Sequence, residues 1–484
     1  MTFFPFRRSR RAVIFIATGL ATVAAIGTLS GCAANDKDRA AAKAISAEQL
    51  GLTADTEQQW PAQDWWRAFN DEQLNQLIEL ARADNPSIKI AQARIQLARQ
   101  YAVATRAINQ PDIALNAEVT RQRYSENDIY PPPLGGSISN SARGTLDFSY
   151  EFDFWGRQRA TLDAALRQID VERADSAEAQ LVLSIAVAQN YFSLQRNFAD
   201  LTLTEQLQNQ RATIVHLLQL RVERGLASKA ELDSPTAALA NATQQVAAAQ
   251  QRIDLDRHQL AALCARGADT LQPIAPVQSD EISLPPPIAL PADLLARRPD
   301  IAAQRLRVEV ASKDIVAAKA DFYPNIDLSA FFGVQSIGTS DLFASGSRIW
   351  GVGPALHLPV FNRASLRAQL GSRYADYDLA VEQYNQSVLD AVRETADAGA
   401  ITQSLNAQRN AADAALAALQ RARSAAETRY RQGLSNRLDL LNADIALLDQ
   451  QRALLALRDN QLQARLALIK ALGGGYNTTS QARY

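Results

Sequence analysis

The sequence predicts an internally duplicated chain of long coiled-coil helices and four β-strands, whose strands can close a barrel only with strands from further copies. Three observations carry this: chain breakers recur at a nearly constant offset, a helix of unusual length follows each strand pair, and four stretches alternate apolar and polar residues.

The duplication comes first, because it restricts the architecture before any motif is considered. Asn85-Pro86-Ser87-Ile88 matches Arg298-Pro299-Asp300-Ile301, and Gln110-Pro111-Asp112-Ile113 matches Tyr323-Pro324-Asn325-Ile326. Both proline pairs lie 213 residues apart. Gly225 and Gly433, in Arg221-Val222-Glu223-Arg224-Gly225-Leu226 and Arg429-Tyr430-Arg431-Gln432-Gly433-Leu434, lie 208 apart. Chance can align one Pro-x-Ile pair but not an ordered series. The expected divisions are a signal peptide over 1–31, an N-terminal anchor segment over 32–84, a first repeat over 85–284, a second over 285–472, and a tail over 473–484.

Each repeat begins with a helix of about 25 residues after Pro86 or Pro299, where a missing N–H costs nothing. Two alternating stretches follow. Ile113, Leu115, Ala117 and Val119 interleave with Asn116, Glu118 and Thr120. Leu146, Phe148, Tyr150, Phe152 and Phe154 interleave with Thr145, Asp147, Ser149, Glu151 and Asp153. In the second repeat Ile326, Leu328, Ala330 and Phe332 alternate, and then Trp350, Val352, Leu356, Leu358 and Val360. Tyr130–Gly136 and Ser336–Ser340 read as hairpin loops. Strands of about ten residues can cross a bilayer when tilted. An ordinary half-buried sheet shows the same period, but four strands cannot close, and lipid does not tolerate open edges. Two chains would supply eight strands and three would supply twelve; the strand pattern does not choose.

Between Gly156 and Gly225 there is neither glycine nor proline, and good helix formers dominate. About 68 helical residues extend roughly 100 Å. The returning helix, expected over Ser228–Arg266, places Leu232, Leu239, Val246, Ile253 and Leu260 at spacing seven, a coiled-coil seam. Leu441, Leu448, Leu455, Leu462 and Ile469 repeat it, beside a second column of Leu440, Leu447 and Leu454. Two apolar columns suggest a helix with partners on both sides; a dimeric coiled coil is the plainer reading.

The first residues read as a lipoprotein signal. Arg7, Arg8, Arg10 and Arg11 precede an apolar run from Ala12 to Leu29, and Leu29-Ser30-Gly31-Cys32 supplies small residues before a cysteine. Cys32 becomes the lipidated N-terminus, where each buried CH₂ of an acyl chain contributes about 0.8 kcal/mol. Cleavage removes four arginines and no acids, taking Lys+Arg from 50 to 46 against 51 Asp+Glu, a net charge of −5. Nucleic-acid binding has no electrostatic support at that balance. Cys264 is alone in the mature chain and reads as a buried structural thiol. No later apolar run is long enough for a transmembrane helix, so any further membrane crossing must be as a β-barrel.

The chain resembles the TolC-like outer-membrane factors, specifically the NodT-type lipoproteins of resistance-nodulation-division efflux systems. The resemblance rests on Leu29-Ser30-Gly31-Cys32, on Trp65-Trp66 with Phe69 and Asp71, and on Tyr150-Glu151-Phe152-Asp153-Phe154-Trp155-Gly156-Arg157. Leu290–Ile301, with its Arg297-Arg298-Pro299-Asp300-Ile301 core, and Ala471-Leu472-Gly473-Gly474-Gly475-Tyr476 complete it. It implies the outer-membrane efflux protein fold: a homotrimer with a twelve-stranded β-barrel and a helical tunnel, working with a periplasmic adaptor protein and an inner-membrane pump, without a cofactor or metal. Ala33, after the cysteine, matches the family's outer-membrane sorting pattern. The resemblance places the acid of a closing ring at Asp439 and the tyrosine that ties the tip to its neighbour at Tyr430. The family's second ring acid is replaced here by Asn442, a departure from a double ring, and Glu231 holds the equivalent place in the first repeat. A ring of like carboxylates gives cation preference; the plainer reading of Asp439 is a solvated helix residue. The tip turns Gly225-Leu226-Ala227-Ser228 and Gly433-Leu434-Ser435-Asn436 resemble the family's adaptor contacts, although glycine at a helix end and Ser228, Ser435 or Asn436 as caps explain the same residues. Trp65, Trp66 and Phe69 read as packing that fastens the N-terminal segment.

Catalysis has little support, since His216, His258 and His357 are scattered with no nucleophile or metal motif. Two rivals to an efflux duct are a lipid-anchored periplasmic coiled-coil scaffold, which leaves the strands unexplained, and a type I secretion duct. Which substrates leave by the duct is not written in the sequence.

Overall fold

The computed structural model describes residues 40–46, 48–52, 60–270, 273–277, 294–359 and 361–477. Cys32 and the signal peptide lie outside them. The order of elements repeats once. The first series is α1 (Glu72–Asp84), α2 (Pro86–Ile108), β1 (Asp112–Arg123), β2 (Ile138–Phe152), α3 (Arg157–Glu223) and α4 (Ala230–Leu263). The second is α5 (Pro299–Ala320), β3 (Asn325–Ile337), β4 (Arg348–His357), α6 (Arg363–Arg431) and α7 (Arg437–Ala471). The helices α3 and α6 hold 67 and 69 residues.

Two compact units divide the chain. The first gathers Leu97–Ile169 and Leu306–Glu382 with residues 40–43, and holds the sheet. Its strands run in the order β1-β2-β3-β4, all antiparallel, so β1 and β4 are free edges. Three sequence boundaries move here, one of them at β4, which ends at His357 short of the expected Leu358, while Val360 lies outside the described residues. Ser336 and Ile337, expected in a loop, pair with Ala142 and Ser141 and belong to β3. Asp153, expected on the wet face of β2, instead accepts the backbone N–H groups of Gln158 and Arg159 at 3.2 and 2.9 Å, satisfying free donors at the start of α3.

The second unit, Ala44–Gln96, Asp170–Arg305 and Gln383–Tyr484, carries the core. Trp65, Trp66 and Phe69 form a single 3₁₀ turn and are buried with α1 against Tyr191 and Phe192 of α3, the Phe69 and Phe192 rings lying 4.9 Å apart. Asp71 caps α1 by accepting from Gln73 and Leu74 and also accepts the Tyr191 hydroxyl at 2.7 Å. Helix α7 does meet two partners, but the expected columns supply only part of the contacts: Leu448 packs with Ile445 on Leu207 of α3, while the contact with Leu405 of α6 is made by Leu457 and Ala464, which belong to neither column. In α4 the seam is finished by small residues, with Ala242 and Ala249 buried beside Ile253 and Leu260. That helix ends at Leu263, short of the expected Arg266, because Ala265 turns left-handed (φ 55°) and Arg266 N–H bonds back to Ala261 at 2.8 Å. Cys264 is buried, its thiol pushed up to about 11 by desolvation, and is inert in the expected way.

Arg298 explains the Arg-Arg-Pro-Asp-Ile motif. Its buried guanidinium donates to Asp300 at 2.8 and 3.1 Å, to Glu394 at 2.8 Å and to the Ala471 carbonyl at 3.2 Å, joining the starts of α5 and α6's middle to the end of α7. Burial works against its charge, and the two carboxylates more than offset that.

Candidate functional site

Two regions carry the functional reading, the sheet and the helix tips. Residues directly opposite in an antiparallel ladder share a face. Leu115 pairs with Leu146, Leu146 with Phe332, and Phe332 with Trp350, so one apolar row crosses all four strands. A parallel row joins Ile113, Phe148, Ala330 and Val352. The first row is exposed throughout, Phe332 at 62% and Trp350 at 75%, and so are Ile113 and Val352 of the second, whose Phe148 and Ala330 are half-buried. The opposite face is polar. There Asp147 accepts from Asn116 at 2.7 Å and Thr145 at 2.8 Å, and Glu118 faces Arg143. Gly333 lets β3 lie close, since a Cβ there would meet the Gly144 carbonyl oxygen at 2.0 Å.

Such a sheet has an exposed greasy side and two unpaired edges, β1 of 12 residues and β4 of 10. In water both features invite association; in lipid, a closed ring of such strands satisfies both. No helix among the described residues is long and apolar enough to cross a membrane.

A family model described as "Outer membrane efflux protein" matches residues 77–266 and 290–474, once for each series of elements. The chain belongs to the outer membrane efflux protein family. The multidrug resistance outer membrane protein MdtP of Escherichia coli K12 is 32% identical over 93% of this chain and 94% of its own length. The pyoverdine export outer membrane protein OpmQ of Pseudomonas putida is 32% identical over 89% and 92%. Among solved structures, the outer membrane protein VceC of Vibrio cholerae superimposes with a TM-score of 0.79 at 35% identity, covering 86% of this chain and all of that one. This outer membrane efflux protein is therefore a transport channel component of the outer membrane, with the fold expected from its sequence.

The efflux protein's tips are built by local rules. At the first, Gly225 is left-handed (φ 71°) and Leu226 N–H reaches the Arg221 carbonyl at 2.7 Å; at the second, Gly433 has φ 73° and Leu434 reaches Arg429 at 2.8 Å. Both are Schellman closures, which glycine accepts at no steric cost. Leu226 and Leu434 are exposed at equivalent places.

The two returns differ. Ser228 and Glu231 form a reciprocal capping box: Glu231 N–H donates to Ser228 Oγ at 3.3 Å, and the Glu231 carboxylate accepts from Ser228 N–H at 2.9 Å. Those bonds, the backbone one first, hold the Glu231 carboxyl below its ordinary range. At the second tip Asn436 Oδ1 accepts from Asp439 N–H at 3.0 Å, while Ser435 Oγ is buried and finds no partner among the described residues. The Asp439 carboxylate is exposed, as are Asn442 and Tyr430.

Sequence reasoning missed the ladder that backs this second tip. Arg423 of α6 donates to Asp444 of α7 at 2.9 Å and to Glu427, which also pairs with Arg431. The first repeat has Val215, Gln219 and Glu223 at the places of Arg423, Glu427 and Arg431. The i, i+4 spacing of Arg423, Glu427 and Arg431 was the available signal; the reach to Asp444 was not.

Proposed function

We propose that three copies of this chain close their sheets into a twelve-stranded barrel and serve as the exit duct of a tripartite pump, passing small organic molecules, antibiotics among them, to the exterior. The observation that carries this is the apolar row Leu115, Leu146, Phe332 and Trp350 beside two free edges, a sheet complete only when a neighbour's β1 pairs with β4. The names of relatives exporting drugs and pyoverdine support the cargo class.

In this reading the second tips meet around the channel axis and their Asp439 carboxylates form a ring, with Tyr430 tying neighbouring tips and Asn442 leaving the ring single. Glu231, held by its cap, adds charge from the first tips. Gly225, Leu226 and Ser228, with Gly433, Leu434 and Ser435, seat against a periplasmic adaptor of an inner-membrane resistance-nodulation-division pump, the exposed leucines supplying the apolar contact. Cys32 carries the lipid anchor, secondary to a barrel that already spans the membrane; a Cys32→Ala form exported by a cleavable signal keeps partial efflux, and complete loss of its trimers contradicts this.

Purified protein reconstituted in a planar bilayer tests the reading. Discrete conductance steps and a detergent-resistant trimer are expected, and a monomer without conductance overturns it. Comparing susceptibility of a deletion strain across compound classes then defines the cargo.

A further inference from the structure

A small cavity lies where the Trp65–Phe69 turn, α1, α3 and the C-terminal glycine turn come together. Its volume is about 60 Å³, room for a few waters or one small oxyanion. Trp66, Arg82, Gln180, Ser184, Gly474 and Tyr476 are among its walls, and no aspartate or glutamate is. Trp66 is only 4% exposed, yet its indole N–H finds no acceptor among the described residues. A buried indole N–H ordinarily has one. Arg82 lies in the same wall, its Cζ 5.2 Å from the Trp66 ring, and donates to Gln180 Oε1 at 2.6 Å. No carboxylate of the described residues comes within ion-pair distance of it: Glu79, whose charge acts on it, is itself paired with Arg67 at 3.0 Å. Burial presses against the guanidinium charge, so the positive group is half-desolvated beside a neutral partner. The glycine turn adds only backbone: Gly473 lies so close to the Arg297 carbonyl that a Cβ does not fit, and a Cβ on Gly474 would have to displace the Leu181 side chain.

We propose that this cavity is an oxyanion site, which takes the carboxylate or phosphate head of a small ligand on the Trp66 indole N–H and the Arg82 guanidinium. Water alone answers the indole but leaves the half-buried cation without a counter-charge; an oxyanion answers both, through charge-assisted hydrogen bonds. Since five separate segments wall the cavity, Pro299 of α5 being the fifth, a bound anion draws them together and stabilises the fold by mass action.

The full-length protein in detergent is titrated with inorganic phosphate and, separately, with acetate, at an ionic strength held constant with chloride, while thermal midpoint and tryptophan fluorescence are followed. A saturable rise in the midpoint is expected with at least one of them. Saturation by phosphate alone assigns a phosphate head, by acetate alone a carboxylate, and by both a general oxyanion site. Arg82→Gln and Trp66→Phe each shift the half-saturating concentration upward by about tenfold or more, whereas Arg393→Gln, on an exposed side chain, leaves it unchanged. If Arg82→Gln does not fold, Trp66→Phe carries the comparison. No saturable response to either anion, or an unchanged response in the folded variant, overturns the proposal and leaves a water-filled cavity.

Discussion

Asp200 of α3 and Arg452 of α7 meet at 2.8 Å across 252 residues of sequence, and Arg252 of α4 reaches the same carboxylate at 2.9 Å. One buried acid thus holds the return helices of both repeats to a single long helix. Its removal leaves two arginines facing one another without a counter-charge. Breaking a buried pair costs about 3 to 5 kcal/mol; with Arg252 nearly half exposed, about 3 kcal/mol is expected for Asp200→Ala. The thermal midpoint of the purified protein reads this, and a loss no larger than that of a surface substitution sinks it.

The glycines separate by what surrounds them. Gly225 and Gly473 are both left-handed, at φ 71° and 81°. A Cβ on Gly225 meets nothing within 4 Å, whereas one on Gly473 meets the Arg297 carbonyl oxygen at 1.9 Å. Gly225→Ala is expected to cost about 1 kcal/mol, and Gly473→Ala to prevent folding of the second unit, seen as loss of protein from the outer-membrane fraction.

Charge on the outward face of the sheet tests the membrane reading. Phe332→Arg puts a cation in the middle of the apolar row, worth about 3 kcal/mol of destabilisation near a bilayer midplane. Gln335→Arg, on the opposite face, is tolerated. Heat-resistant trimers on a gel distinguish the two, and equal yields of both count against lipid contact.

Glu178 of α3 gives the fold a pH dependence. Burial, then the nearby Asp300, push its carboxyl up to about 7; Arg298 and Lys470 work the other way, and Glu394 adds a smaller push. Between pH 4.5, its ordinary value, and about 7, the folded chain keeps a proton that the unfolded chain releases. Stability therefore falls as pH rises through that window. Glu178→Gln removes this slope, stabilising the protein by about 2 kcal/mol at pH 8 and little at pH 5. Denaturant melts at the two pH values check it; an equal gain at both contradicts it.

At the second tip, Arg423→Ala frees α7 from the Asp444 pairing and should raise the fraction of time the reconstituted channel conducts. Asp439→Asn should leave that fraction alone and reduce cation over anion permeability, read from reversal potentials in a salt gradient. Unchanged selectivity removes Asp439 from the ring.

The repeat, the helix lengths, the two faces of each strand and the glycine turns were legible in the linear order, because each depends on residues within a few positions of one another: period two, period seven, or a cap and its turn. The Ser228 and Glu231 capping box is of this kind. What the local pattern advertises can still be redirected. Asp153 continues the alternation of β2 yet serves as a cap for α3. The Asp200 hub, the Arg423 to Asp444 tie, the burial that raises Glu178 and the cavity beside Trp66 appear only in the folded chain. Arg423 and Asp444 lie 21 residues apart, Asp200 and Arg452 252, and Trp66 and Tyr476 410, and hydrogen bonding and desolvation depend on distance in space. Local periodicity decided which elements form; the meeting of distant side chains decided which charges are paired, buried or left free for a ligand.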